Sequence, residues 1–138
     1  MCNKECKCES GDQLVREGIR DIREGLGDIF EGLKEIERGK IEEGAEEICE
    51  GLGDIKEGLA DIIKGLEHGC FCIHCIDEKL LEEGLKEIEE GIDDICKGLK
   101  DIRECEIEEG IIRIREGVRD IEQGLRNIIE ALDLDCEK

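Results

Sequence analysis

The chain has 138 residues, 40 acidic and 20 basic, for a formal net charge of -20, a charge that repels nucleic acid and anionic membranes. Proline, tryptophan and tyrosine are absent and two phenylalanines are the only aromatics, so any core must be built from Ile and Leu. No stretch approaches the roughly 20 apolar residues of a membrane span, and Met1-Cys2-Asn3-Lys4-Glu5-Cys6 lacks a secretory h-region, which leads to the expectation of cytosolic synthesis without a signal peptide.

Residues 1–11 form a short polar tail holding Cys2, Cys6 and Cys8. From Gly18 the chain reads GIRDIRE, GLGDIFE, GLKEIER, and later GLGDIKE, GLADIIK, GLKEIEE, GIDDICK, GLKDIRE. Each unit has Leu or Ile after the glycine and Ile three places on. That 3-4 spacing is a helical heptad with a and d apolar and glycine at g. A strand is excluded, because such spacings would put apolar residues on both faces of a sheet.

The pattern is duplicated. Residues 32–51 align with residues 98–117, with eleven of twenty positions identical. The expected organisation is therefore a tail (1–11), helical arm 1 (12–66), a cysteine-rich tip loop (67–80), helical arm 2 (81–134) and a C-terminal tail (135–138). The expected fold is all-α, an antiparallel coiled-coil-like helical hairpin. With the arms running antiparallel, a stacks on d′ in layers such as Leu59–Ile88, Ile55–Ile92, Ile48–Leu99 and Leu26–Ile121, and every member is apolar.

Each arm is interrupted where Ile36 is followed by Ile41 and Ile102 by Ile107, a step of five where seven is due. Five residues advance a helix by about 500°, which carries the apolar stripe roughly 140° around the axis. The breaks near 37–41 and 103–107 favour four helical segments over two bent helices. Arg38-Gly39-Lys40 suits a left-handed cap at Gly39, whereas the equivalent Cys105-Glu106 is a poor turn sequence.

Glycine in a helix interior costs about 1 kcal/mol relative to alanine, so its repetition must be offset by packing. Gly18, Gly25, Gly32, Gly51, Gly58, Gly91, Gly98, Gly117 and Gly124 are expected to form a packing groove that another helix approaches closely. Two occupants stand: a helix of the same chain, or an identical copy. This glycine heptad resembles the GLxxLxxG helical stalks of some bacterial surface and type VII secretion accessory proteins, which implies a rod and no active-site residue.

The ten cysteines divide by place. Cys49 and Cys96 both fall at e, on flanks that meet in an antiparallel pair, and are candidates for an intramolecular disulfide, as are Cys8 and Cys136 near the open end. Cys2, Cys6 and Cys105 are candidates for cross-links between chains. In the tip, Cys70, Cys72, Cys75 and His74 have thiolate and imidazole spacings that suit one zinc or copper(I) ion. Cys72-Ile73-His74-Cys75 also resembles the CxHC redox motif, but no strand precedes it to supply that motif's context. Paired carboxylates on the charged face lack a pocket, so no enzyme activity is expected.

In its cysteine density and leaderless start the chain resembles cysteine-rich spore-coat, exosporium and spore-appendage proteins. That resemblance implies assembly in a cell that later lyses, with oxidation at a spore or cell surface. The leading expectation is a self-assembling structural protein, cross-linked by disulfides into a fibre or surface layer, whose partner is itself and which requires no cofactor. The alternative is a metal–thiolate binding protein with zinc or copper at the tip.

Overall fold

A computed structural model describes residues 9–68 and 76–132. These form four helices, α1 (Glu9–Glu37), α2 (Ile41–His68), α3 (Glu78–Arg103) and α4 (Ile107–Leu132), and no strand is present among the described residues. The all-α, four-segment reading of the duplicated arms is the observed architecture. Local chemistry favours each start. Asp77 caps α3 by accepting from the Leu80 amide at 3.1 Å, and Glu42 and Glu43 in α2, like Glu108 and Glu109 in α4, place negative charge against the positive helix end.

Both interruptions are tight turns of one kind. Lys40 N donates to Glu35 O at 2.9 Å and Gly39 N to Ile36 O at 2.9 Å. In arm 2, Glu106 N donates to Asp101 O at 2.8 Å and Cys105 N to Ile102 O at 3.0 Å. This paired 6→1 and 5→2 pattern is the Schellman motif, which requires a left-handed residue at C′. Gly39 (φ 94) and Cys105 (φ 72) occupy that position. Cys105-Glu106, a poor turn by residue type, thus makes the same reversal as Gly39-Lys40.

Because each arm reverses direction at its turn, it folds back on itself. The closest helix pairs are α1 with α2 and α3 with α4, while α2·α3 and α1·α4 approach less closely. Glycine makes the close seams possible. Gly18 lies against Ile62 and the carbonyl of Gly58, Gly25 against Ile55 and Gly51, and Gly32 against Ile48 and Gly44. Arm 2 repeats the arrangement with Gly84–Ile128, Gly91–Ile121 and Gly98–Ile114. A Cβ added at any of these glycines would stand under 3.0 Å from a backbone carbonyl or an isoleucine side chain of the facing helix. The glycine groove is therefore filled by a helix of the same arm. The g positions face one another within each arm rather than across the two arms, since the short turn makes consecutive helices neighbours.

The isoleucines that fill the glycine notches, among them Ile22, Ile29, Ile48, Ile55, Ile88, Ile95 and Ile121, are fully buried. With Leu26, Leu33, Leu52, Leu59, Leu99 and Leu125 they form one core shared by all four helices. Among the described residues no polar or charged side chain is buried. None of the described helices is long and apolar enough to cross a membrane.

Candidate functional site

The described part of the bundle has two chemically distinct ends. At one end lie the two turns, 38–40 and 104–106. At the other, Gly65 packs on Gly11 and Asp77 N donates to Ala131 O at 3.2 Å, so the helix ends leading into segments 1–8, 69–75 and 133–138 gather there. Cys2, Cys6, Cys8, Cys70, Cys72, His74, Cys75 and Cys136 belong to those segments and lie outside the described residues. Neither the tip metal site nor a Cys8–Cys136 bridge therefore falls within the described structure.

Three cysteines are described, all free thiols, and all lie toward the turn end. Cys105 is exposed at the C′ position of α3. A β-carbon in left-handed geometry costs about 1–2 kcal/mol, which glycine avoids. Arm 1 has glycine at the equivalent place, Gly39, and arm 2 has a thiol. The turn around Cys105 is acidic: one carboxylate oxygen each from Asp101, Glu104 and Glu106 lie within 4.8 Å of one another. Glu106 is held above the ordinary glutamate range, first by the charge of Glu109 and its hydrogen bond, then by burial and by Asp101 and Glu104. Asp101 already has a cation, the Arg113 Nε at 3.3 Å. These carboxylates make the turn that carries Cys105 strongly acidic.

Cys49 on α2 and Cys96 on α3 are half-buried and pack against the core. Arg103 Nη2 donates to Cys49 Sγ at 3.5 Å. On the opposite side of the bundle Arg115 of α4 pairs with Glu37 of α1. All four of these contacting residues are at e, so e positions line the seams between the arms just as g positions line the seams within them. Arg103, Arg115 and Glu37 were not singled out by residue type. Their signal lay in the heptad: e is the flank left to meet the other arm once g is used within it. An open groove between α2 and α3, lined by Ile41, Ala45, Cys49, Ile102 and Arg103, brings together residues 45 and 102 of one expected layer.

Compared with family models, curated proteins and solved structures, the chain matches none.

Proposed function

We propose that this protein is a structural subunit that self-assembles end to end and is locked by disulfides into a fibre or surface layer. The observation that carries this reading is the exposed Cys105 in a left-handed turn position where its own duplicate has glycine. Backbone strain of this kind persists where the strained residue has a use. Here the use is an exposed thiol in the turn at one end of the bundle. The described helix ends next to the other cysteine-bearing segments gather at the opposite end. A 28-residue helix spans about 40 Å, so the exposed Cys105 thiol stands at one end of a short rod.

The packing supports the same reading. The glycine faces are consumed inside each arm, so copies meet through the ends and the charged outer faces. A net charge of -20 makes copies repel one another until salt screens them or covalent bonds hold them. Assembly of reduced chains followed by oxidation at a spore or cell surface fits such late locking.

The test is oxidation of the purified full-length protein by air or oxidised glutathione at physiological salt. Non-reducing electrophoresis is expected to give a ladder that collapses with reductant, and electron microscopy to show fibres or sheets. Cys105→Gly is expected to truncate the ladder to short species while raising monomer stability by about 1 kcal/mol, because the turn strain is relieved. A chain that stays monomeric under oxidation and retains stoichiometric zinc or copper through gel filtration would overturn assembly in favour of metal binding.

A further inference from the structure

We infer that Cys49 and Cys96 are a redox clasp that ties arm 1 to arm 2. Three observations bring the two thiols to one seam. Both occupy e, the position whose side chains meet across the arms, as Arg103–Cys49 and Arg115–Glu37 show. The Arg103 contact, at 3.5 Å, turns Cys49 toward α3 while leaving it partly exposed. Cys96 is the e residue one heptad before Arg103 on that same helix, so the antiparallel register sets Cys49 between the Arg103 and Cys96 positions of α3. Both are half-buried free thiols, accessible to a small reagent and still in contact with the core.

The clasp sits on the seam that needs it. Each arm is closed on itself by its glycine–isoleucine notches, whereas α2 and α3 approach each other less closely. A bridge between residues 49 and 96 crosses that seam and adds nothing to the two tight ones. Its loop also contains the whole tip, so it restrains the separation of the arms, the opening with the fewest backbone contacts to lose.

The chemistry is thiol–disulfide exchange with a low-molecular-weight disulfide such as oxidised glutathione. The Cys49 thiolate attacks one sulfur of the reagent, forms a mixed disulfide and expels one thiolate. The Cys96 thiolate then attacks Sγ of Cys49, forms the Cys49–Cys96 bond and expels the second thiolate. Two protein thiols are oxidised, the reagent is reduced to two thiols, and the two protons pass to the thiolates released. The reverse exchange, with excess thiol, reopens the clasp.

This inference is independent of end-to-end assembly, and the experiment separates the two. Full-length protein in which every cysteine but Cys49 and Cys96 is replaced by serine is oxidised with glutathione disulfide over a range of dilutions. Helicity by circular dichroism verifies that the chain is folded. The expected result is a monomer two hydrogens lighter, formed at a rate independent of protein concentration, whose digestion yields an α2 peptide linked to an α3 peptide. The folding equilibrium constant is expected to rise about a hundredfold on bridging. Wild-type protein mapped in its monomer fraction is expected to show the same linkage, and Cys96→Ser to leave Cys49 alkylatable. Two thiols that both remain alkylatable in folded protein would overturn the clasp. So would linkage only between chains, at a rate that rises with concentration, or a bridge that forms without stabilising the fold.

Discussion

The bundle has two kinds of seam, built from opposite materials. Within an arm, α1·α2 and α3·α4 bring backbone against backbone: glycine removes its own side chain, and an isoleucine from the facing helix fills the notch. Between arms, α2·α3 and α1·α4 meet through e side chains, with Arg103 on Cys49 and Arg115 on Glu37. The charges divide in part the same way. Apart from the Arg113–Asp101 pair beside the second turn, the glycine seams are flanked by carboxylates facing carboxylates, such as Glu47 opposite Glu35 and Asp28, and Asp120 opposite Asp94. The difference teaches that close approach was gained at the expense of electrostatics, while the looser seams keep cations and thiols. One set of contacts makes each arm a unit; the other decides how the arms are held.

The sharpest way to break this contrast is to restore side chains on one glycine seam. Gly25→Val with Gly51→Val sets β-carbons into the facing backbone carbonyls, and the helices must move apart along the arm. Overpacking typically costs about 1–3 kcal/mol per site, so the pair is expected to lose about 4 kcal/mol in urea denaturation. A smaller loss is expected from the isoleucine side of the same notch. Ile55→Ala empties a fully buried site against Gly25 and is expected to cost about 3 kcal/mol. Ile92→Ala, on a half-buried residue of α3, is expected to cost clearly less. Equal losses at 55 and 92 would erase the distinction between the seams.

Two other glycines give a change of opposite sign. Gly27 and Gly53 lie in helices but point to solvent, with nothing within 4 Å of an added Cβ. Alanine at either is expected to stabilise by about 1 kcal/mol through helix propensity alone. Thus Gly25→Ala and Gly27→Ala, two residues apart, should differ in direction in the same thermal melt. If both stabilise, the close approach of α1 and α2 is not what holds glycine at residue 25.

Much of this architecture was legible in the heptads, because a glycine every seven residues beside a and d isoleucines encodes a helix with one bare flank. The five-residue steps at 36–41 and 102–107 marked the breaks for the same reason: they move the apolar stripe off its face. What the heptads did not reveal was which helix fills the bare flank, since g can face g′ either across the arms or within one. The glycine pairs 18–58, 25–51 and 32–44 are centred on the 38–40 turn, and that symmetry was the usable signal. Cys105 was opaque because cysteine does not advertise left-handed geometry. Only its alignment with Gly39 places it in the turn. The cysteines of the tails and tip have no periodicity to fix them, so their chemistry was legible only as a set of possibilities.

The smallest expected effect tests the electrostatic half of the comparison. Glu47 is held above its ordinary value of 4.5, first by burial and then by Glu35, Glu31, Asp28 and Glu50. Asp120 is held above 3.8, first by burial and then by Asp94, Glu90 and Glu116. In both cases the folded chain binds protons more readily than the unfolded one, so unfolding free energy falls as pH rises through the raised folded values. The stabilisation is fully present below the unfolded values and is lost above the folded ones. Melting temperature is therefore expected to increase as pH is lowered from 7 toward the ordinary values of 4.5 and 3.8, opposite to a fold held by carboxylate ion pairs. Glu47→Gln and Asp120→Asn should each flatten part of that slope and raise the melting temperature at pH 7, and added salt should do the same by screening. Arg115→Ala, which removes an exposed pair from a between-arm seam, should leave the slope nearly unchanged. A melting temperature that falls steadily on acidification would mean that ion pairs, rather than the crowded carboxylates beside the glycine seams, dominate the pH response.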